Sequence, residues 1–194
     1  MAKRKIGIIG DGNVGGALRR GLSGAGYEVR AAGRDAGAVR ETSGWGEIVI
    51  VAVPFTAIDD ALAQMGDSVN GKVLVDVTNA LTKDFQLAIG FTTSGAEELQ
   101  KKAPRARVVK AFNTVFAENM PNGRVKGEQL SLFLASDDGS AKEEVGSLGR
   151  DLGFDPIDAG PLRNARWLET LAYLNIQLGF TQKMGTQIGF KLVH

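Results

Sequence analysis

Three glycines near the N-terminus have the spacing of a phosphate-binding turn. Gly10, Gly12 and Gly15 follow the apolar run KIGII and precede a stretch with apolar residues at helical spacing. In a β-α-β unit the first such glycine permits a tight turn, the second lets a pyrophosphate approach the backbone, and the third lets the helix pack closely on the strand. The free N–H groups at the start of the helix also attract an anion. A chain with 26 glycines can produce this spacing as a plain structural turn, but the position between a strand and a helix favours a dinucleotide site.

The end of the second predicted strand indicates which dinucleotide binds. A site for NAD usually has an acidic residue there, which accepts hydrogen bonds from the 2′-hydroxyl of the ribose. This chain has RAAGRDA, with Gly33 and Arg34 at that position, and a guanidinium suits the 2′-phosphate of NADP. Two alternatives stay open: Arg34 could be a solvated surface residue, and Asp35 could replace the acid if the register shifts slightly. The pattern favours NADP.

Three further strand ends should lie at the same edge of the sheet, because ligands of open α/β sheets bind at the carboxyl ends of the strands. They read AVPF, DVTNA and KAFNT. Val53 and Pro54 could pack against the nicotinamide ribose, and Asn79 and Asn113 offer amide donors and acceptors. Ala111, in the third segment, belongs to the same predicted set of contacts. Each residue could instead serve an ordinary turn, but their shared position favours a common ligand.

The elements that would position these residues alternate between short β-rich runs and longer helical patterns. Strands that read as continuous apolar runs and alternate with helices predict parallel crossovers. The expected strands are KIGIIG, YEVRAAG, EIVIVAVP, KVLVDVTN, ARVVKAFN and LSLFLAS, with FDPIDAG as a short seventh. We therefore expect an α/β fold of the Rossmann type, a doubly wound and mostly parallel sheet with a small C-terminal helical extension. Thr56 is the predicted N-cap of the helix TAIDDALAQM.

The helical pattern that begins at Pro161 suggests how the chain is organised. It reads PLRNARWLETLAYLNIQLGF, with apolar residues at helical spacing and a proline at its start. We expect residues 1–160 to form an NADP-binding domain and residues 161–194 to form the extension. The extension is predicted to complete the site of a second substrate and to contact a second subunit.

The composition excludes several other classes of function. The net charge is +1, with basic and acidic residues interspersed, which argues against binding to nucleic acid or an anionic membrane. The chain has no cysteine and one histidine, His194, at the last position, so neither a nucleophilic triad nor a metal-ligand cluster is expected. No apolar run approaches the ~20 residues of a membrane helix, and no signal sequence is recognised. We expect a cytoplasmic protein with no catalytic side chain and no metal, whose small-molecule redox cofactors carry the chemistry.

Six motifs, spread over nearly the whole chain, carry a resemblance to a known family. They are IGIIGDGNVGGAL, GRD, VAVPFTAI, VVKAFNT, DAGPLRNARWLE and MGTQIGFKL. They resemble the NADPH:coenzyme F420 oxidoreductases, which pass hydride between NADP and an 8-hydroxy-5-deazaflavin. The N-terminal part also resembles the NADPH-binding domain of membrane ferric reductases, in which KAFNT-like segments occur with a flavin acceptor. One departure is Gly33, where the F420 family often has serine.

The resemblance implies contacts for individual residues and a homodimeric assembly. The residues it implies are Asp11, Gly12, Asn13 and Val14 for the pyrophosphate, Gly33 and Arg34 for the 2′-phosphate, Phe55, Asp59 and Ala117 for the nicotinamide half, and Ile188 for the deazaflavin. The implied cofactors are NADP and, as co-substrate, coenzyme F420.

The identity of the second substrate stays open at this point. The leading hypothesis is hydride transfer between NADP(H) and coenzyme F420. An NADPH-dependent reductase of flavin, of a ferric chelate or of a small carbonyl or imine compound fits the same motifs. A non-catalytic NADP-binding sensor is the third alternative, and it would bind the nucleotide without turning over any acceptor.

Overall fold

A computed structural model describes residues 3–82, 84 and 86–193, so His194 lies outside the described residues. The strands are β1 (Lys5–Ile9), β2 (Glu28–Ala32), β3 (Ile48–Val51), β4 (Val73–Asp76), β5 (Arg107–Lys110), β6 (Arg124–Val125), β7 (Glu128–Gln129), β8 (Ser131–Leu134) and β9 (Asp155–Asp158). The helices are α1 (Asn13–Gly24), α2 (Ala36–Trp45), α3 (Ile58–Met65), α4 (Gly95–Lys102), α5 (Gly139–Asp151) and α6 (Ala165–Ile176).

Five strands form one parallel sheet in the order β2-β1-β3-β4-β5. Since β2 and β3 lie on opposite sides of β1, the winding reverses there, and ligands of open α/β sheets bind in the crevice at such a reversal. The parallel pair β8–β9 adjoins β5 through an antiparallel bridge, in which the Lys110 N–H donates to the Ala135 carbonyl at 2.9 Å. The predicted α/β fold with a mostly parallel, doubly wound sheet is confirmed.

Two apolar cores, one on each face of the sheet, fix the strands in register. In β3, Ile48 and Ile50 enter the core formed with α1 and α5, whereas Val49 and Val51 enter the core formed with α2, α3 and α4. This is the alternation expected of a strand covered on both faces. Burial of each such side chain contributes about 1.5–3 kcal/mol. A slip by one residue would exchange the two faces, so the cores also fix where each strand ends.

Helix α2 was not predicted from the sequence, because AGAVRETSGW contains two glycines and little helical periodicity. Its N-terminus is capped by Asp35, whose Oδ1 accepts a hydrogen bond from the Ala38 N–H at 2.7 Å. The predicted start of α3 at Thr56 was wrong. A 3-10 turn over Phe55–Ala57 comes first, and the α-helix begins at Ile58 with Ala57 as its N-cap.

The C-terminal helical pattern forms three consecutive pieces. A 3-10 turn at Leu162–Asn164 precedes α6, and a π-helical turn at Gln177–Thr181 follows it. After that turn the chain runs back along the sheet, where the Ser131 N–H donates to the Phe190 carbonyl at 3.0 Å. The extension therefore packs on the carboxyl-end side of the domain and does not stand apart from it.

Candidate functional site

Two of the three glycines of the N-terminal motif meet a steric demand of the fold, and the third leaves open space. Gly10 has a φ of 111°, and a Cβ there would lie 2.3 Å from the Ala52 carbonyl oxygen. A Cβ on Gly15 would lie 1.9 Å from the carbonyl oxygen of Gly10, so α1 can approach β1 only because this residue has no side chain. A Cβ on Gly12 would meet nothing within 4 Å. Glycine at position 12 therefore leaves open space, which fits a pyrophosphate lying against the backbone.

The N-terminus of α1 is free to bind an anion. Gly12 is its N-cap, and no side chain in the described part of the chain caps the helix. The first backbone hydrogen bond of the turn joins the Gly16 N–H to the Gly12 carbonyl at 2.8 Å. The N–H groups of Asn13, Val14 and Gly15 precede it, and they carry the partial positive charge of the helix. This arrangement fits the phosphate groups of a dinucleotide.

The end of β2 places a cation and an anion close together. β2 ends at Ala32, and Gly33 and Arg34 follow it directly, with Arg34 exposed. Asp35 is the N-cap of α2, and its Oδ1 accepts a hydrogen bond from the Ala38 N–H. The Asp11 carboxylate instead lies over Gly33, where an added Cβ would be 2.7 Å from Oδ2. The absence of a side chain at position 33 thus makes room for Asp11.

Two asparagines join the ends of β4 and β5. The Asn113 side-chain amide donates to Asn79 Oδ1 at 3.0 Å and to the Leu168 carbonyl at 2.9 Å. The Asn79 amide donates to the backbone carbonyl of Asn113 at 3.1 Å. Asn113 Oδ1 is buried and accepts no hydrogen bond from the described residues. An unpaired buried acceptor is costly, so this oxygen fits a ligand that donates an N–H.

Strained backbone directs Asn113 into this position. Phe112, the preceding residue, has a φ of 63° although it carries a side chain. Its ring is buried and packs edge-on against Phe154, with centroids 5.9 Å apart, which holds the strained conformation in place. Left-handed backbone at a non-glycine residue is often found beside functional sites.

Beneath the asparagines lies a fully buried ionic network. The Lys110 ammonium lies 2.9 Å from a carboxylate oxygen of Asp76 and 2.9 Å from one of Glu169, and it donates to the Thr78 carbonyl at 2.6 Å. Burial lowers the pKa of Lys110, but the two carboxylates raise it by more, so the net pKa lies above its ordinary value. Lys110 is therefore a cation in the folded protein.

Glu169 extends the network from α6 to the N-terminus of α4. Its carboxylate accepts hydrogen bonds from the backbone N–H groups of Gly95 at 3.0 Å and Ala96 at 3.3 Å. A second link between the same helices is the bidentate pair between Arg166 and Glu97, which lowers the pKa of the Glu97 carboxyl below its usual range. Four elements, β4, β5, α4 and α6, are thereby held together next to the ligand edge of the sheet.

An open cleft of about 860 Å³ extends from the glycine turn to the C-terminal segment. Its volume lies within the ~300–1,000 Å³ typical of small-molecule sites. One wall is α1, the floor includes Asn79 and Asn113, and the opposite wall combines residues near 115–118 with the end of α6 and Thr186. Phe116 and Phe180 stand at the far side, edge to face with centroids 5.7 Å apart. The cleft can hold the nicotinamide half of a dinucleotide together with a second planar molecule.

Residues 5–80 match the sequence profile of a family described as NADP oxidoreductase, coenzyme F420-dependent. A solved structure from Arthrobacter sp. FB24, which carries the name F420-dependent NADP reductase, is similar to this chain with a TM-score of 0.90. The two are 29% identical, and the match covers 99% of this chain and 100% of the other. Residues 5–80, which form β1 to β4 and the helices between them, thus resemble the F420-dependent NADP oxidoreductases.

Two further proteins are similar to most of this chain. The metalloreductase STEAP3 of Rattus norvegicus is 32% identical over 180 residues, which is 86% of this chain and 36% of that protein. The chain thus spans only about a third of the length of the curated relatives that it matches. A hypothetical protein from Sinorhizobium meliloti, SMa0349, has a TM-score of 0.70 and 28% identity over 85% of this chain and 88% of its own.

Most of the predicted contacts fall into two groups. Those that line the cleft are Asp11, Gly12, Asn13, Val14, Asn79, Asn113 and Ala117. Gly10 forms the turn at the base of this group. Those at the strand ends but outside the cleft lining are Gly33, Arg34, Val53, Pro54, Phe55 and Ala111. Ala111 is fully buried, and its N–H and its carbonyl form backbone hydrogen bonds with Asp76 and Asn113, so the structure does not expose it to the cleft.

Two predicted residues lie elsewhere on the surface. Asp59, on α3, pairs with Lys102 and lines a separate groove between α3 and the end of α4. Ile188 lies two residues beyond Thr186, and its carbonyl accepts a long hydrogen bond from the Asn119 side chain at 3.4 Å. A ligand would have to extend beyond the cleft to contact Asp59 or Ile188.

Several residues of the site were not predicted from the sequence. They are Asp76, Lys110 and Glu169 of the buried network, and Arg19, Arg20, Asn175 and Phe180 of the cleft wall. One signal was available for the network, because VLVD and RVVK each end an apolar strand with a charged residue. The cleft wall gave no such signal, because its residues come from separate elements.

Two absences concern the described ranges 3–82, 84 and 86–193. No group of three or more acidic or histidine side chains there could hold a metal ion. None of the helices within these ranges is both long enough and apolar enough to span a membrane.

Proposed function

We propose that this chain is an NADP-dependent oxidoreductase that transfers hydride between NADP(H) and a deazaflavin coenzyme of the F420 type. The observation that carries the proposal is the continuity of the cleft. It begins at the N-terminal end of α1, passes the Asn79–Asn113 pair and ends at the wall that Phe116 and Phe180 form in edge-to-face contact. A nucleotide and a second flat ring can therefore lie in one continuous space.

The residues that would hold NADP fit its chemistry group by group. The open backbone at Gly12 and the free N–H groups of Asn13 and Val14 suit the pyrophosphate. Arg34 supplies a cation for the 2′-phosphate, and the unpaired Oδ1 of Asn113 suits an amide N–H of the nicotinamide. These groups could together bind the pyrophosphate, the 2′-phosphate and the nicotinamide of NADP.

The chain's own part in hydride transfer is alignment and exclusion of water. NADP(H), when bound, would supply or accept the hydride, and a side-chain acid or base is not needed when a cofactor carries the chemistry. The apolar wall formed by Val115, Phe116, Ala172 and Ile176 keeps water from one side of the cleft. The buried network at Lys110 keeps the ends of β4 and β5 in place, so that Asn79 and Asn113 hold a ligand in one orientation.

The charge of Asp11 should affect whether the site binds NADP or NAD more tightly. Its carboxylate lies beside Gly33, where the resemblance places the 2′-phosphate, and like charges at this distance repel. We expect Asp11→Asn to tighten NADP binding several-fold and to leave NAD binding unchanged or weaker, as measured by equilibrium titration. Tighter binding of NAD in place of NADP would contradict this assignment of the 2′-phosphate.

A second candidate function is the reduction of a flavin or a ferric chelate by NADPH. It is favoured by the 32% identity to a metalloreductase over 86% of this chain. The same cleft would then receive a flavin or a chelated ferric ion in place of the deazaflavin. The nucleotide contacts are identical in both cases, so the two candidates differ only in the acceptor.

An anaerobic assay separates these functions. Purified protein is mixed with NADP and reduced coenzyme F420, and the appearance of NADPH is followed, with NAD as the nucleotide control. Parallel runs use NADPH with flavin, with a ferric chelate, and with a small carbonyl or imine compound. The Gly12→Val variant is the matched protein control, because its side chain enters space that is open in the fold.

Rapid transfer that requires NADP and is lost in Gly12→Val would support the deazaflavin reaction. Transfer to flavin or iron alone would replace it with the second candidate. Tight NADP binding with no turnover of any acceptor would contradict both and favour a sensor.

We also propose a homodimer built on the C-terminal extension, residues 161–194. Exposed large apolar side chains are concentrated there, at Trp167, Leu174, Phe180 and Met184. Trp167 and Leu174 are two helical turns apart on α6, so they share one face. Sedimentation should give a dimer that Leu174→Glu dissociates, whereas Phe91→Glu, at an exposed apolar residue elsewhere, should not affect it. A monomeric wild-type protein would exclude this assembly. The cytoplasmic location stays a prediction.

A further inference from the structure

Two adjacent arginines on α1 face the cleft without an ionic partner. Arg19 and Arg20 are exposed and line the cleft. Neither lies within 4.0 Å of a carboxylate in the described part of the chain, whereas Arg166, for example, is bidentate to Glu97. A Cβ on Gly16 would lie 3.5 Å from a terminal nitrogen of Arg20, so this side chain folds back along the helix towards the cleft.

The acidic residues of the cleft do not neutralise this pair. Two carboxylates, those of Asp11 and Glu118, line the cleft together with the arginines. The Asp11 carboxylate lies over Gly33, and Glu118 accepts a hydrogen bond from the Thr186 hydroxyl. The two guanidiniums therefore keep their donors available for a bound anion.

The pair lies beyond the nucleotide turn along α1. The Cα atoms of Arg19 and Arg20 come seven and eight residues after the N-cap Gly12, which corresponds to about 10–12 Å along the helix axis. The terminal nitrogen of Arg20 reaches back to the level of Gly16, about 6 Å past Gly12. The pyrophosphate site is at the N-terminus itself. The part of the cleft beyond it is bounded by the aromatic pair Phe116–Phe180, which suits a flat ring.

We propose that Arg19 and Arg20 form a subsite for the phosphate group of the second substrate. The acceptor is then a phosphorylated flavin or deazaflavin, with its ring near Phe116 and Phe180 and its phosphate on the two guanidiniums. This inference rests on the proposed function, because it assumes that the cleft receives a second planar cofactor. It narrows the substrate class, since a ring without phosphate or a bare metal ion would leave the pair unused.

Two matched pairs of probes test the subsite by equilibrium binding to the protein with NADP bound. FMN and riboflavin differ by one phosphate, and 8-hydroxy-5-deazariboflavin 5′-phosphate and 8-hydroxy-5-deazariboflavin differ in the same way. We expect the phosphorylated member of at least one pair to bind about 10- to 100-fold more tightly, the range of a charge-assisted contact. This preference should decrease as the ionic strength rises.

The decisive protein is the double variant Arg19→Gln/Arg20→Gln. It should remove the preference for phosphate and leave the affinities for riboflavin and for NADP unchanged. Arg40→Gln, which removes an exposed arginine on α2 away from the cleft, should behave like the wild type. Both arginines of the pair are exposed, so the double variant should keep the wild-type melting temperature.

Three results would overturn the subsite. In the first, the wild type binds both members of each pair with equal affinity. In the second, the double variant keeps the preference for the phosphorylated member. In the third, the double variant keeps that preference and loses affinity for NADP. The third would assign the arginines to the nucleotide. A preference confined to the flavin pair would support the subsite while refuting the deazaflavin as acceptor. Turnover of coenzyme F420 without dependence on its phosphate would support the proposed function and refute the subsite.

Discussion

Replacement of Lys110 by methionine should destabilise the protein strongly and in a pH-dependent way. Lys110→Met keeps an unbranched side chain of similar length but removes the ammonium between Asp76 and Glu169, both of which are fully or almost fully buried. Removal of one partner from a buried ion pair costs about 3–5 kcal/mol, because the remaining charge loses its compensation. For a chain of this size we expect the melting temperature to fall by roughly 6–20 °C.

The direction of the pH dependence follows from the charges. In the variant two carboxylates face each other without a cation, so protonation relieves their repulsion and stability should rise as the pH falls from about 8 to about 5. In the wild type the pKa of Lys110 is raised above its ordinary value of 10.5. Its stabilising contribution is therefore fully present below that ordinary value and is lost as the pH rises through the higher folded-state value. The variant should lack this alkaline loss.

Thermal and urea unfolding at several pH values would measure both effects. Lys101→Met is the matched control, because Lys101 forms an exposed ion pair with Glu98 and its loss should leave the melting temperature almost unchanged. Addition of Glu169→Gln to Lys110→Met should restore part of the stability at neutral pH. A loss below about 1 kcal/mol, or no dependence on pH, would refute the description of Lys110 as a buried cation that joins β4, β5 and α6.

Three further predictions concern the glycine turn, the 2′-phosphate and a surface tyrosine. Gly12→Ala should weaken nucleotide binding with little change in melting temperature, whereas Gly15→Ala should destabilise the fold, because its Cβ would lie 1.9 Å from a backbone oxygen; the opposite result would reverse their roles. Arg34→Ala should weaken NADP binding by about 1–3 kcal/mol and leave NAD binding nearly unchanged, and equal losses for both nucleotides would contradict the role of Arg34. Burial and the hydrogen bond to Asp151 raise the pKa of Tyr27 to about 12. Ultraviolet titration of the phenols should therefore show one ionisation near pH 12, and this ionisation should shift to lower pH in Asp151→Asn. An unshifted titration in the variant would exclude this hydrogen bond.

Much of the fold could be predicted from the sequence, because the relevant signals are local. The apolar runs that became β1, β3, β4 and β5 are nearly continuous, as expected for strands buried on both faces. The glycine spacing was informative because Gly10 and Gly15 each answer a steric demand within one turn, whereas Gly12 leaves open space. Where local signals were weak the prediction failed: α2 was missed, and the N-cap of α3 was placed one residue too early, at Thr56 in place of Ala57.

The candidate site was only partly predictable, for the same reason. Gly10, Gly12, Asn79 and Asn113 follow strands directly, so the rule that ligands bind at the carboxyl ends of parallel strands was enough to identify them. That rule does not tell which strand-end residues line a common cleft. The structure separates Asp59, which pairs with Lys102 on another groove, from Asn79, which lies on the cleft floor.

The sequence by itself determined the alternation of strands and helices and the glycine turn between β1 and α1, since spacing and residue type along a few positions suffice for each. Only the tertiary structure determined which residues from distant parts of the chain contact each other. Lys110 reaches Asp76, which is 34 positions away, and Glu169 reaches the start of α4, which is 74 positions away. Likewise, only the folded chain brings Arg19 and Arg20 to the same cleft as Phe180. Contacts of this kind depend on how the crossovers fold back on the sheet, and no local pattern of residues encodes that geometry.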